Sequence, residues 1–247
     1  MIRGVIFDLG STLMYWDGDG KEIDAQANAA LSAFLRTHGI SVGADFPALF
    51  HAARADGWKL AEETNIEHTI AEALGTALAQ LGHRSLDGLL PRAVEQFVTV
   101  GEKYQHVYPE SVEALARLKE RGLRVGLISN ADDDELVQRA VVRLGFAPYL
   151  DPVTSSAGLR WRKPNPDIFH YVANLWQLAP REIAMVGDAP RYDVLGAHNA
   201  GMRGILIDRN ENHWWQKIPE ESANDPAMQP DATVRDLLEI LDIIERL

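Results

Sequence analysis

The fold is decided by residues 2–11, which read IRGVIFDLGS. Residues 2–7 are mostly apolar and partly β-branched, and the run stops at Asp8, which is followed closely by Gly10 and Ser11. A short apolar run that ends at turn residues is typical of a buried strand. The sequence therefore predicts a first buried strand that carries Asp8 at its carboxyl end.

A different pattern extends from residue 24 to about residue 105. Apolar residues recur there with the period of a helix, and no convincing strand pattern interrupts them. Residues 14–20, which precede this segment, are predicted as a loop because Asp and Gly alternate over residues 17–20. The predicted helices cover residues 24–38, 46–65, 67–81 and 86–104.

Strand and helix patterns alternate after residue 106. Such alternation predicts an α/β fold with a doubly wound parallel sheet. We expect residues 1–16 and 106–247 to form one discontinuous α/β core domain, and residues 17–105 to form a smaller all-helical domain. The predicted strands cover residues 124–128, 152–155, 183–186 and 204–207, the predicted helices cover residues 111–120, 133–144, 166–176, 194–200 and 231–247, and residues 211–231 are predicted as a long loop.

Chemically active side chains follow the predicted strands at the points where these strands end. Asp8 follows the first strand, Ser129 the strand at 124–128, and Asp188 the strand at 183–186, with Asp193 five residues further on. Lys163 lies after the weak strand at 152–155. Ligands of doubly wound sheets bind beyond the carboxyl ends of the strands. We therefore expect three carboxylates, a hydroxyl and an ammonium group at one edge of the sheet.

The charges of this group predict its ligands. Three neighbouring carboxylates repel one another, and a divalent cation is their natural counterion. Oxygen ligands suit Mg²⁺. A phosphate group can bridge to that cation, with Ser129 and Lys163 holding its remaining oxygens. The carboxylate of Asp8 can then attack phosphorus and form an aspartyl phosphate.

Four segments resemble the sequence motifs of the haloacid dehalogenase-like (HAD) hydrolases, and in particular those of the phosphatase type. They are FDLGSTL at residues 7–13, LISN at 127–130, RKPNPDIF at 162–169 and VGDAPRYDVLGA at 186–197. Their order and spacing extend the resemblance over nearly the whole chain. The helical segment, residues 17–105, resembles the cap that closes over the site of these enzymes and selects their substrates. This implies a Rossmann-like core and a small phosphorylated metabolite as substrate.

The resemblance also implies roles for individual residues. Asp8 is expected to be the nucleophile, and Mg²⁺ the cofactor. The implied catalytic residues are Asp8, Lys163 and Ser129, the implied phosphate contacts are Ser129, Asn130, Lys163 and Thr12, and the implied metal contacts are Asp8, the backbone carbonyl of Gly10, Asp188 and Asp193.

One position departs from the phosphatase pattern. Phosphatases of this family usually carry a second Asp two residues after the nucleophile, where it protonates the leaving group, and Gly10 stands there in this chain. Loss of such a group costs on the order of 10²–10⁴ in rate. Two alternatives follow: a catalytically weak relative that binds a ligand or a protein, and a metal-independent 2-haloacid dehalogenase. Asp188 and Asp193 favour the phosphatase, because the dehalogenases carry a Ser-Asn type of motif there.

The sequence leaves two alternatives open for some aromatic and acidic residues. Trp16, Trp58 and Tyr15 are candidates to line the substrate entrance, although aromatic residues in helices are more often part of a core. Asp17 and Asp19 are candidates for a substitute acid, and a polar turn is the alternative for them.

Composition excludes several classes of protein. The chain has no cysteine, which rules out disulfides, Cys-ligated metals and a cysteine nucleophile. With 24 Lys and Arg against 36 Asp and Glu, the net charge is −12, which argues against binding of nucleic acid. No apolar run reaches the roughly 18 residues of a membrane helix. We expect a cytoplasmic monomer or homodimer without a targeting peptide or membrane contact.

Overall fold

The computed structural model describes residues 1–83, 88–211, 213–217 and 225–247. The strands are β1 Gly4–Phe7, β2 Met14–Trp16, β3 Gln105–Val107, β4 Arg124–Ser129, β5 Val153–Ser155, β6 Ile183–Gly187, β7 Arg203–Ile207 and β8 Ala232–Val234. The helices are α1 Gly20–Thr37, α2 Phe46–Thr64, α3 Ile70–Gln80, α4 Leu90–Val98, α5 Ser111–Glu120, α6 Asp134–Arg143, α7 Ser156–Leu159, α8 Pro166–Trp176, α9 Leu195–Asn199 and α10 Ile240–Ile243.

Six strands form a parallel sheet in the order β5-β4-β1-β6-β7-β8, which confirms the predicted α/β class. β1 lies inside this sheet, and all its residues are buried. Alternate side chains of a strand point to opposite faces. Val5 and Phe7 accordingly pack in an apolar cluster with α5 and α6, whereas Ile6 packs in another cluster with α8. Helices thus cover both faces of the sheet, and β1 is held firmly between them.

Helices α1 to α4 pack around an apolar cluster of their own, which includes Leu31, Phe46, Phe50 and Leu74. Local sequence signals define where these helices begin. The side chain of Asp19 accepts hydrogen bonds from the first backbone N–H groups of α1, and Thr69 forms a capping box at the start of α3. The domain boundaries 17–105 and 106–247 stay a prediction. Within the described ranges, no helix is long and apolar enough to cross a membrane.

The prediction of a loop at residues 14–20 was wrong at its start. Met14–Trp16 forms β2, which pairs antiparallel with β3, so that Met14 lies opposite Val107 and Trp16 opposite Gln105. Residue 105 also belongs to a strand rather than to the helical segment. The two connections between the helical segment and the sheet run side by side, and their backbone groups pair. Three residues are too few to show the alternation of polar and apolar side chains that marks a strand. Here the strand is recognised only from its pairing with β3.

The C-terminal segment also differs from the prediction of one helix over residues 231–247. It contains the edge strand β8, a 3₁₀ turn at Leu237–Glu239 and the short helix α10. Asp236 ends the extended segment because its side chain accepts the backbone N–H of Leu238. Of the predicted loop, residues 212 and 218–224 lie outside the described residues, as do residues 86–87 of the predicted helix 86–104.

Candidate active site

Strands β1, β4 and β6 are neighbours in the sheet, and their carboxyl ends meet at one edge. A cavity of about 330 Å³ lies there. Asp8 follows β1, Ser129 ends β4 and Asp188 follows β6. All the predicted site residues except Thr12 line this cavity: Asp8, Gly10, Ser129, Asn130, Lys163, Asp188 and Asp193.

The ammonium group of Lys163 lies at the centre of the site and is 2% exposed. Its Nζ donates to Asp8 Oδ1 at 2.6 Å, to Asp193 Oδ1 at 2.6 Å and to the backbone oxygen of Ile128 at 3.0 Å. An ammonium group has three donors, and all of them are used. Burial opposes its charge, but Asp193 and Asp8 together outweigh burial and raise the pKa of Lys163. The side chain therefore stays charged at neutral pH.

Asn130 holds the backbone of Lys163 in place. Its Oδ1 accepts the Lys163 N–H at 2.8 Å, and its Nδ2 donates to the Lys163 carbonyl at 3.0 Å. Asn130 directly follows β4, so these two bonds fasten the loop of Lys163 to the end of a sheet strand. The predicted phosphate contact of Asn130 stays a prediction, since its amide already has a structural use.

Asp193 is 1% exposed, and both of its oxygens have partners. Oδ1 accepts from Lys163, and Oδ2 accepts the backbone N–H of Ala189 at 3.0 Å. A Cβ at Gly187 would lie 2.2 Å from Asp193 Cγ, so only glycine permits this close approach. Asp193 thus acts as a buried anchor for Lys163.

Two residues that the motifs do not include hold Asp188. Its Oδ2 accepts from Trp215 Nε1 at 3.0 Å and from Gln216 Nε2 at 2.8 Å. Both donors lie in the segment predicted as a long loop, 27 and 28 residues from Asp188. No spacing rule connects them to the motif, and no sequence signal could have found them.

Asp8 and Asp188 are harder to ionise than ordinary carboxylates. Burial, with Asp193 and Asp188 adding to it, raises the pKa of Asp8 to about 7 against the opposing effect of Lys163. Burial and Asp193 raise the pKa of Asp188 to about 6, although Gln216 and Trp215 oppose the shift. Three carboxylates share one ammonium group, and further positive charge would favour their ionised forms.

The available metal donors are all oxygens. In the part of the chain that the structure describes, no group of three or more acidic or His side chains has the arrangement of a metal site. Both oxygens of Asp193 already have partners, so its predicted metal contact stays a prediction. The carboxylates of Asp8 and Asp188 and the backbone of Gly10 are the other candidate donors. Mg²⁺ usually keeps several waters and binds through one or two carboxylates and the substrate phosphate. This donor set therefore fits Mg²⁺.

Ser129 and Thr12 occupy different environments. Ser129 is buried and lines the cavity. Thr12 is fully buried away from the lining, and its hydroxyl has no hydrogen-bond partner among the described residues. Its carbonyl accepts from Arg209 Nη2 at 2.6 Å. The predicted phosphate contact of Thr12 stays a prediction.

Two of the aromatic candidates line the cavity. Trp16 is 49% exposed and Trp58 is 45% exposed, and both face the space beside Asp8. Tyr15 lies outside the lining and packs against His106 and Tyr108. Neither acidic candidate from the following loop lines the cavity, because Asp17 pairs with His106 and Asp19 caps α1.

Arg162 joins the helical segment to the site, a role that no motif suggested. It is 2% exposed, and its guanidinium pairs with Glu67 at 2.9 Å and with Glu62 at 3.1 Å. Glu62 also accepts from the hydroxyl of Tyr192 at 3.0 Å. Because Arg162 precedes Lys163, this ion-pair group fastens the helical segment directly beside the catalytic candidates.

Comparison with known proteins gives a consistent result. A family model described as haloacid dehalogenase-like hydrolase matches residues 2–201. A phosphoserine phosphatase of Thermus thermophilus is 37% identical over 134 residues, which cover 54% of this chain and 49% of that protein. A phosphoglycolate phosphatase of Vibrio vulnificus is 27% identical over 236 residues, which cover 94% of this chain and 95% of that protein. The chain thus spans about half the length of the first relative and nearly all of the second.

Among solved structures, a 2-haloacid dehalogenase from Pseudomonas syringae pv. Tomato is similar to this chain with a TM-score of 0.69. Its sequence is 26% identical, and the match covers 100% of this chain and 99% of that chain. Proteins similar to this chain thus include phosphatases, by sequence, and a 2-haloacid dehalogenase, by structure.

Proposed function

The chain belongs to the haloacid dehalogenase-like hydrolases, and from this we propose that it hydrolyses small phosphomonoesters through an aspartyl phosphate on Asp8. The observation that carries the proposal is the contact of Lys163 with both Asp8 and Asp193, with Asp188 in the same cavity. A buried ammonium beside a carboxylate offsets the charge of an incoming phosphate and stabilises the transition state.

The chemistry follows from these positions. A carboxylate oxygen of Asp8 attacks phosphorus, the bond from phosphorus to the ester oxygen breaks, and the electron pair leaves with that oxygen. Water then attacks the phosphorus of the aspartyl phosphate, which releases phosphate and restores Asp8. Ser129 binds a phosphoryl oxygen, and Lys163, beside Asp8, offsets the charge of the nucleophile and of the phosphoryl group. Asn130 positions Lys163. Mg²⁺, held by Asp8, Asp188 and the backbone of Gly10, would supply the charge that offsets nucleophile and phosphate.

The helical segment, residues 17–105, is proposed as the cap of the site, over a core of residues 1–16 and 106–247. Trp58 of this segment lines the cavity, and Glu62 and Glu67 anchor it to Arg162. Closure of such a segment excludes water while the phosphoryl group is transferred. A small phosphorylated metabolite, as in the relatives named for phosphoserine and phosphoglycolate, fits a cavity of about 330 Å³.

A second candidate is the hydrolysis of 2-haloacids. The similarity over the whole chain to a 2-haloacid dehalogenase favours it. In that reaction, Asp8 attacks carbon, halide leaves with the electron pair, and water cleaves the resulting ester. The two further carboxylates, Asp188 and Asp193, argue for the phosphatase, because an uncharged carbon centre has no need of a cation beside it.

Turnover assays on the purified full chain separate these reactions. We expect Mg²⁺-dependent phosphate release from a panel of phosphomonoesters, and its loss in EDTA and in Asp8→Asn. Asp17→Asn is the matched control, since this carboxylate lies outside the cavity, and it is expected to retain activity. Halide release from 2-haloacids in EDTA would favour the dehalogenase. Binding of phosphomonoesters without turnover would leave a ligand-binding protein and refute the proposed activity.

A further inference from the structure

The cavity has a polar end and an apolar wall. Asp8, Lys163 and their partners form the polar end, as described above. We use the name indole wall for Trp16 and Trp58, which line the same cavity together with the apolar residues Leu136, Val137 and Ala140. Half-exposed tryptophans that line a cavity are typical of a site for an apolar ligand group.

Trp16 brings the indole wall close to the nucleophile. Gly10 follows Asp8 by two residues, and a Cβ added there would lie 2.9 Å from Trp16 Cζ3 and 3.1 Å from Cη2. The edge of the indole ring therefore lies almost against the backbone of residue 10, in the space that any larger side chain would need. The group esterified to a phosphate at Asp8 would meet Trp16 within the first few atoms.

Neighbouring elements position the two indoles. Trp16 belongs to β2 and lies opposite Gln105 of β3. The Arg162 guanidinium lies 4.0 Å from the centre of the Trp58 ring, and its ion pairs with Glu67 and Glu62 fix its position. Rigid aromatic surfaces bind a ligand ring at a low cost in conformational entropy.

We propose that the substrate carries a flat aromatic ring next to its phosphate ester, and that this ring packs on the indole wall. The proposal rests on the phosphomonoesterase function proposed above. An aromatic ring gains offset-stacking contacts that a saturated ring of equal size lacks. Each stacking contact is worth roughly 2- to 12-fold in binding or in kcat/KM.

Leaving-group chemistry supports the same class of substrate. Gly10 offers no acidic side chain beside Trp16, so the ester oxygen leaves with the electron pair and takes its proton from water. Aromatic hydroxyls ionise near pH 10, as tyrosine does, and their anions are correspondingly stable leaving groups. A ring bonded directly to the ester oxygen therefore satisfies both the indole wall and the chemistry at Asp8.

A pair of substrates isolates the aromatic contact from the leaving-group effect. Benzyl phosphate and cyclohexylmethyl phosphate have similar alkoxide leaving groups and differ in the aromatic character of the ring. We expect kcat/KM of the Mg²⁺-loaded enzyme to favour benzyl phosphate roughly 4-fold or more, from two stacking contacts. Trp16→Leu and Trp58→Leu are expected to bring the ratio towards one, and Trp16→Phe to retain it. Leu175→Ala, an exposed apolar residue outside the cavity, is the control and should leave the ratio unchanged.

A ratio near one in the unmodified enzyme would overturn the proposal, and so would a high ratio that survives both leucine variants. Calorimetric binding of benzylphosphonate and cyclohexylmethylphosphonate needs no turnover. If the protein hydrolyses neither these esters nor phenyl phosphate, but binds the aromatic phosphonate more tightly through Trp16 and Trp58, the phosphatase fails while the aromatic site stands. Equal binding of the two phosphonates would refute the aromatic site.

Discussion

The buried ion pair between Arg162 and Glu67 is expected to fasten the helical segment to the sheet. Both side chains are 2% exposed, and their atoms approach to 2.9 Å. Glu67→Gln keeps the shape of the side chain and removes its charge, which leaves the Arg162 guanidinium with Glu62 as its remaining anion. Removal of one partner from a buried pair costs about 3–5 kcal/mol. Because Glu62 still shares the charge, we expect a loss of about 3 kcal/mol.

A second ion pair between the helical segment and the rest of the chain provides a matched control. Glu72 pairs with Arg160 at 2.8 Å, but these side chains are 47% and 45% exposed. Exposed pairs are worth about 0–1 kcal/mol, and glutamine also serves in the capping box that Glu72 forms with Thr69. Glu72→Gln should therefore change the stability by less than about 1 kcal/mol.

Thermal unfolding of the full chain measures both variants. For a chain of this size, 1 kcal/mol corresponds to roughly 2–4 °C in Tm. We expect Glu67→Gln to lower Tm by roughly 6–12 °C, and Glu72→Gln by less than about 4 °C. If the two variants lower Tm equally, burial of the Arg162 pair adds nothing to the attachment, and the reasoning is refuted.

Three further predictions concern the site. Asn130→Ala removes both hydrogen bonds that hold the backbone of Lys163. We therefore expect kcat/KM for a phosphomonoester to fall roughly 10- to 100-fold. A decrease of less than about 2-fold would contradict the positioning role of Asn130. The pKa of Asp8 is raised to about 7, so its ionised fraction, and with it kcat/KM at low Mg²⁺, should increase as pH rises through about 7. Saturating Mg²⁺ should move that midpoint to lower pH, and a midpoint independent of Mg²⁺ would argue against Asp8 as a metal contact. Gly10→Asp should raise kcat/KM for alkyl phosphates by up to about 10²-fold, because it supplies the missing acid. The increase should be larger when Trp16→Ala is added, since the smaller residue frees the space that the new side chain needs. Equal values of kcat/KM in the single and double variants would show that Trp16 does not obstruct the new side chain.

The net charge of −12 means that the protein as a whole repels an anionic substrate. The proposed anionic substrate needs a local positive group in an acidic protein, and the ammonium group of Lys163, which contacts two carboxylates, is our candidate for it. The same carboxylates cancel most of its charge. The proposed Mg²⁺ would supply the positive charge that these carboxylates cancel. We therefore expect removal of Mg²⁺ to abolish phosphatase activity rather than only to slow it.

Elements with local signals could be predicted closely from the sequence. The helix at 166–176 has the predicted bounds because Pro166 favours its first turn and the side chain of Asn165 accepts the Asp167 N–H. The strand ending at Asp8 was likewise readable, since its apolar run is fully buried in the sheet. β2, β3 and β8 were not predicted, because these short strands are defined by pairing with partners far along the chain. β5 has three residues as well, but it was predicted as part of the weak strand at 152–155.

The sequence by itself determined the α/β class and named the residues to which we assign the proposed chemistry. Motif residues that follow parallel strands must meet at one edge of the sheet, so their proximity follows from the order of elements alone. Only the tertiary structure decided how they are held: Asn130 on the backbone of Lys163, 33 residues away, Gln216 on Asp188, and Arg162 on Glu67, 95 residues away. It also brought Trp16 against Gly10 and Trp58 into the same cavity. Such contacts cannot be predicted from the spacing of residues in the sequence, because they form only when separate elements pack together.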